Sequence, residues 1–166
     1  MKTYSGEIKS LKSNEIFVFG SNIQGFHGAG AAGYASFGIP GNHWRHFEYD
    51  KKPKGWQGMW NVKGIGEGLQ KGYSGWSYAL PTVTKPGAKR SLSKVQIISN
   101  INKLYGECSK NSEFNFLIAY SGLNPDKTSF NGYSAREMSS MFNQQPIPDN
   151  VVFEYNFGKL IKGETK

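Results

Sequence analysis

The chain has 166 residues, a net charge of +8, a pI near 9.5, 37% hydrophobic and 14% aromatic residues, and one cysteine. That length suits a single domain with its own core, and the lone Cys108 excludes an internal disulfide framework and fits a reducing, cytoplasmic setting. No run of about 18 apolar residues marks a membrane span, and no apolar targeting segment opens the chain, so a cytoplasmic protein without membrane association is expected. The excess of cations points to anionic partners such as nucleotides, nucleic acid or phosphorylated small molecules. A soluble surface that happens to be basic is the plainer alternative.

In chain order, Glu15–Phe19 (EIFVF) is an apolar run stopping at Gly20, as a buried strand would. A helix is expected over 28–37, with Ala31, Ala32 and Ala35 as small packing residues. Residues 38–76 are rich in Gly, Trp, His and Lys without a sustained period, which reads as a long functional loop with a short strand at 56–62. Ser77–Val83 (SYALPTV) is a second strand. A helix follows from Ser93, where Ser93 and Gln96 have capping-box form and Leu92 and Ile97 are placed as a staple. Its helical spacing sets Val95, Ile98, Ile101 and Leu104/Tyr105 toward the core. Phe114–Tyr120 is a third strand. A second capping box, Ser134 with Glu137, opens another helix whose Met138, Met141 and Phe142 face inward. Val151–Phe157 closes the chain as a strand. The alternation of strands and helices argues an α/β layered fold with a largely parallel or mixed sheet, all in one domain over 1–166.

In such sheets ligands sit beyond the carboxyl ends of the strands. That rule gathers three polar, glycine-containing loops at one edge: 20–30, 84–87 and 121–133. Gly28-Ala29-Gly30 before a helix presents backbone N–H groups and a positive helix end to an anion. It lacks both the GxGxxG spacing of a dinucleotide fold and the GK[ST] ending of a P-loop. Ser121-Gly122 and Asn131-Gly132-Tyr133 offer a second set of donors, so two facing loops would suit a diphosphate with sugars at both ends. His27 is open to three roles: general base, orienting donor or turn residue. Lys85 is either a ligand-facing amine or a solvated loop lysine. His43 and His46 lack the further ligands of a zinc site, so no metal is expected. Ser121 lacks the GxSxG elbow of serine hydrolases.

Taken together, FGSNIQGFHGAGAAGY, SGLN, FNGYS and YSAREMSSMF resemble the macrodomain family, whose members bind ADP-ribose or remove it from other molecules. GIGEGLQKGYSGWSYALPT is similar to a segment of small phage and bacterial macrodomain-like proteins, and the resemblance spans roughly residues 14–157. It implies a three-layer α/β/α sandwich with a mixed, largely parallel central sheet. It also implies a ligand set of Ser21, Asn22, Gly28, Ala29, Gly30, Ala31, Thr84, Ser121, Gly122, Leu123, Asn124, Asn131, Gly132 and Tyr133. Asn22 would contact the distal ribose, the second loop would hold the diphosphate, and an aromatic residue there would lie against that ribose. VTK, a SLSKVQ-type helix and AYSGLN look most like the terminal ADP-ribose glycohydrolase branch, in which a lysine attacks the anomeric carbon and an acidic residue assists.

Carried over, Lys85 matches that lysine, while the acidic position falls on Asn124, which cannot take up a proton. Asp126, two residues on, is the substitute if the loop bends back. The PDKTS insertion and the missing acidic residue for adenine are two further departures. The implied activity is de-ADP-ribosylation of a protein or nucleic acid, or removal of phosphate from an ADP-ribose phosphate, with Lys85, Asp126 and His27 as candidate catalytic residues and no cofactor. A non-catalytic binder of ADP-ribose-like signalling nucleotides is the first alternative. The second is a basic nucleic-acid-associated protein using HWRHFEYDKKPKGW.

Overall fold

The computed structural model describes residues 1–27, 30–38, 65–71, 75–120 and 124–163. Among these residues six strands form one sheet: β1 (Lys2–Tyr4), β2 (Glu15–Asn22), β3 (Gly68–Lys71), β4 (Trp76–Val83), β5 (Asn115–Ile118) and β6 (Val151–Glu154). Their spatial order is β1-β6-β5-β2-β4-β3. Neighbouring strands run parallel except β3, which is antiparallel to β4. Among the described residues four helices accompany them: α1 (Gly30–Gly33), α2 (Lys94–Lys110), α3 (Ala135–Phe142) and α4 (Tyr155–Ile161). A π-helical turn over Tyr34–Gly38 continues α1. The protein is therefore a mixed α/β fold built on a mostly parallel sheet.

The central strand β2 explains why its sequence reads as an unbroken apolar run. Side chains alternate across a strand with a period of two. Ile16 and Val18 join one apolar cluster with Ile97, Ile101 and Leu104 of α2, Phe142 of α3 and Phe157 of α4. Phe17 and Phe19 join a second, smaller cluster with Ala32, Ala35 and Ala79. Each fully buried Phe, Ile or Leu contributes about 1.5–3 kcal/mol relative to exposure, so β2 anchors both clusters.

Both expected capping boxes are present. Ser93 accepts from the Gln96 N–H while the Gln96 side chain accepts from the Ser93 N–H, and Ser134 and Glu137 repeat the arrangement. Leu92 and Ile97 are both buried in the larger cluster. Ser93→Ala removes an acceptor that an orphan helix N–H needs, and is expected to cost about 1 kcal/mol, or a fall in Tm of roughly 2–4 °C on thermal unfolding.

Several expectations are corrected. The first strand does not stop at Phe19 but runs through Gly20 and Ser21 to Asn22, because pairing with β4 continues to its end. The helix expected over 28–37 is a single α-helical turn followed by the π turn. Val95 is 76% exposed, since it sits in the first turn of α2 on the side away from Ile97 and Ile101. The last strand ends at Glu154, whose carboxylate accepts from the N–H groups of Asn156 and Phe157 and so starts α4 where extended chain was expected. β3 falls within the segment expected to be a long loop, and β1 was not expected; three or four residues are too few to show a period. The strand expected at 56–62 lies outside the described residues. Cys108 is buried within α2, and burial pushes its thiol up to about 12, so it stays protonated and inert.

Candidate functional site

In the sheet β2 lies between β4 and β5, all three parallel. Their carboxyl ends, Asn22, Val83 and Ile118, therefore release three chain segments at one edge of the sheet. This is the edge at which α/β proteins bind ligands.

The first segment is locked from within and from outside. The Asn22 amide donates to the Phe26 carbonyl (2.9 Å) and accepts from the Phe26 N–H (3.1 Å), closing a tight loop in which Asn22 is buried. The outer lock is the distant pair Ile65 and Gly66. Ser21 donates its hydroxyl to the Gly66 carbonyl, and His27 Nε2 lies 2.8 Å from the Ile65 carbonyl. A carbonyl can only accept, so Nε2 carries the proton in that contact. Gln70 Nε2 also reaches Ile65 O, at 3.4 Å, while the Ile65 N–H donates to Gln70 Oε1. Gly66 lies so close to the chain at 22–23 that a Cβ there would stand 2.3 Å from the Ile23 carbonyl oxygen. His27 itself is fully buried, with its ring edge-on to Phe19 at 5.0 Å and its carbonyl accepting from Ser36. His27 is thus held within the wall that closes over the loop.

The second and third segments are clasped to each other. Arg90 is a non-glycine residue at φ 55, an uncommon left-handed conformation. Its N–H donates to the Asn131 carbonyl (2.8 Å), its Nε donates to the Gly132 carbonyl (2.9 Å), and its guanidinium lies 4.4 Å over the Tyr133 ring. The same guanidinium pairs with Glu137 at 3.0 Å, and Lys94 pairs with that carboxylate at 3.2 Å. The Ser134 N–H, followed by Lys94 and Arg90, holds the Glu137 carboxyl down to about 2. Gly132 has φ +88, and a Cβ on it would stand 2.9 Å from side-chain atoms of Lys89 and Arg90. Tyr133 is buried and donates its hydroxyl to the Leu92 carbonyl, while Asn131 Oδ1 accepts from the Tyr133 N–H and the Ser129 hydroxyl. Thr84 donates its N–H to the Ser91 hydroxyl.

The other expected site residues are distributed as follows. Lys85 is exposed just beyond β4, its carbonyl accepting from the Ala88 N–H in a turn. Asp126 is an exposed carboxylate held by Arg136 at 2.8 Å, and the hydrogen bond from that guanidinium, reinforced by its charge, lowers the Asp126 pKa. Asn124 is exposed, and its side chain accepts from the Asp126 N–H in a local turn. Gly30 is exposed at φ +61 as α1 begins, and Ala31 packs against the smaller apolar cluster. Gly28, Ala29, Ser121, Gly122 and Leu123 lie outside the described residues, as do His43 and His46. Among the described residues no group of three or more His, Cys, Asp or Glu is placed to hold a metal, and no helix is long and apolar enough to cross a membrane.

Sequence reasoning missed Arg90, its pairing with Glu137, and the Ile65–Gly66 wall. Each acts through backbone geometry or a partner some 40 residues away, so local pattern carries no trace of it. Two surface hollows, of about 380 and 560 Å³, lie between α3 and α4 and along β3 and α2; neither is lined by Ser21, Asn22, His27, Lys85 or 131–133. Comparison with protein-family models, with curated proteins and with solved structures finds no match.

Proposed function

We propose that the protein binds ADP-ribose or a closely related nucleotide at the carboxyl edge of β5, β2 and β4, as a macrodomain-like α/β/α sandwich. The observation that carries this reading is the convergence there of the Asn22 loop, Thr84 and Lys85, and the clasped turn at Asn131-Gly132-Tyr133. Apolar clusters on both faces of β2 support the three layers. The sugar-phosphate would lie over the glycine-rich start of α1, where backbone N–H groups attract anions.

In its catalytic form the reading makes the Lys85 amine the nucleophile toward the ribose anomeric carbon. The bond to the macromolecule breaks as the bond to Nζ forms, and the macromolecule leaves carrying a proton. Water then hydrolyses the lysyl adduct to release ADP-ribose and regenerate the amine. The pairing of Asp126 with Arg136 favours a second form, a binder without turnover. That carboxylate is held ionised and already accepts two guanidinium contacts, at 2.8 and 3.4 Å, so it is poorly placed to take a further proton.

Calorimetric titration of the full chain with ADP-ribose tests the reading. Binding should saturate, and Asn22→Ala, which opens the loop closed on Phe26, should weaken it about tenfold, the loss of roughly 1.4 kcal/mol that one hydrogen-bonded contact carries. Absence of binding by the unaltered protein overturns the reading. With an ADP-ribosylated substrate, turnover abolished by Lys85→Ala selects the catalytic form, and no product on long incubation selects the binder.

A further inference from the structure

We infer that the edge formed by residues 84–94 and 124–137 binds single-stranded nucleic acid, with Phe130 as a stacking platform for one base. Phe130 is 71% exposed and leaves a flat aromatic face open to solvent. Its exposure is not that of a loose loop. The turn that carries it is closed by the Ser129 N–H on the Tyr133 carbonyl (2.9 Å), the Gly132 N–H on the Ser129 carbonyl (2.9 Å) and the Asn131 side chain on the Tyr133 N–H (2.9 Å). Arg90 then fixes that turn through the Asn131 and Gly132 carbonyls. The ring is thus pre-ordered outward, which lowers the entropy lost when a base stacks on it.

Charge around the ring matches a polyanion. The two segments carry Lys85, Lys89, Arg90, Lys94, Lys127 and Arg136 against Asp126 and Glu137, six cations to two carboxylates. The carboxylates are taken up within the edge, by Arg136 and by Arg90 with Lys94, so Lys85, Lys89 and Lys127 present charge outward, and all three are exposed. A flat apolar ring beside spaced ammonium groups is what a single strand needs, one base face and phosphates on either side. A duplex hides its base faces and would use only the charge. The edge shares Thr84, Lys85 and the Asn131–Tyr133 turn with the proposed nucleotide site, but the inference rests on Phe130 and the outward lysines and does not depend on that reading.

The test is fluorescence anisotropy of a labelled single-stranded DNA of about 12 nucleotides, a length within the range such sites cover, titrated with the full-length protein. Binding is expected at about 50 mM salt and should weaken with added salt, with a slope that Lys127→Ala lowers by about 0.7. Phe130→Ala should weaken binding about fivefold or more, as loss of a stacked base does, with Tm unchanged because the side chain is exposed. Phe130→Trp should restore it. No binding at low salt, equal affinity of Phe130→Ala, or equal affinity for the duplex of the same sequence each overturns the proposal. Titration of the same samples with ADP-ribose reports on the nucleotide site separately, so failure of one is distinguishable from failure of the other.

Discussion

Gly66→Ala is expected to lower the thermal midpoint by several degrees and, on the proposed reading, to abolish ADP-ribose binding. The added methyl would stand 2.3 Å from the Ile23 carbonyl oxygen and 2.8 Å from that of Asn22, both backbone atoms that no rotamer change can move. Overpacking of this kind costs typically about 1–3 kcal/mol, which for a chain of this size is roughly 2–12 °C in Tm. Relief requires the chain at 65–67 to lift from the end of β2. That movement breaks the Ser21 bond to Gly66 and draws the Ile65 carbonyl away from His27. Differential scanning fluorimetry reads the first effect and calorimetry the second. An unchanged Tm would mean that the wall yields without cost.

Arg90→Ala is the second large effect expected. It removes the donor to the Gly132 carbonyl, the cation over Tyr133 and one of the two cations on Glu137, while relieving the left-handed backbone only slightly. Hydrogen bonds to charged groups are worth about 1.5–3 kcal/mol, but the guanidinium is half exposed and its ion pair is screened. A net loss of about 1–2 kcal/mol is expected, with a larger loss in ligand affinity as the two segments part. Lys in place of Arg keeps the charge but not the planar fork or the stack, and should recover little.

The pH profile carries a further signature of this clasp. Glu137 is held near 2 in the folded protein, below its ordinary value of 4.5. The unfolded chain therefore takes up the proton first as pH falls, and stability is lost between about pH 4.5 and 2. The stabilisation is complete above that window. Arg90→Ala should make the loss shallower without abolishing it, because the Ser134 N–H, the largest cause of the shift, remains. Urea unfolding at pH 5, 3.5 and 2 would read the difference.

The contrast between what could be read from residues and what could not follows from the range of the interactions. Ser93 with Gln96 and Ser134 with Glu137 were legible because a capping box is complete within four residues. The apolar run of β2 was legible because both its faces are buried, and the carboxyl edge followed from the order of elements. Val95 misled because a hydrophobic residue at near-helical spacing still lies outward in the first turn. β3 went unseen because a four-residue edge strand is defined by its partner β4, not by its own pattern. At the site, Asn22 and Thr84 were named from the family resemblance and Asn131–Tyr133 also from their glycine-containing loop, and the structure brings them to one edge. Their roles in ligand binding rest on the proposed reading. Arg90 and Gly66 were illegible for the same reason as β3. Their importance lies in a backbone conformation and in a close approach across 43 residues, neither of which residue type announces.

The wall at Ile65 and Gly66 also bears on the order in which the molecule is made. Ser21 meets its partner 45 residues later in the chain, and His27 meets its own 38 residues later. During vectorial synthesis the strand β2 is complete well before either carbonyl has been added. Until then a hydroxyl and an imidazole destined for burial must keep their water. A nascent chain released before residue 66 would hold the full Asn22–Phe26 loop and yet lack the surface that gives it one shape. The first segment therefore takes its shape only when residues 65–66 return to it, and the edge as a whole is completed later still, when 84–85 and 131–133 have followed.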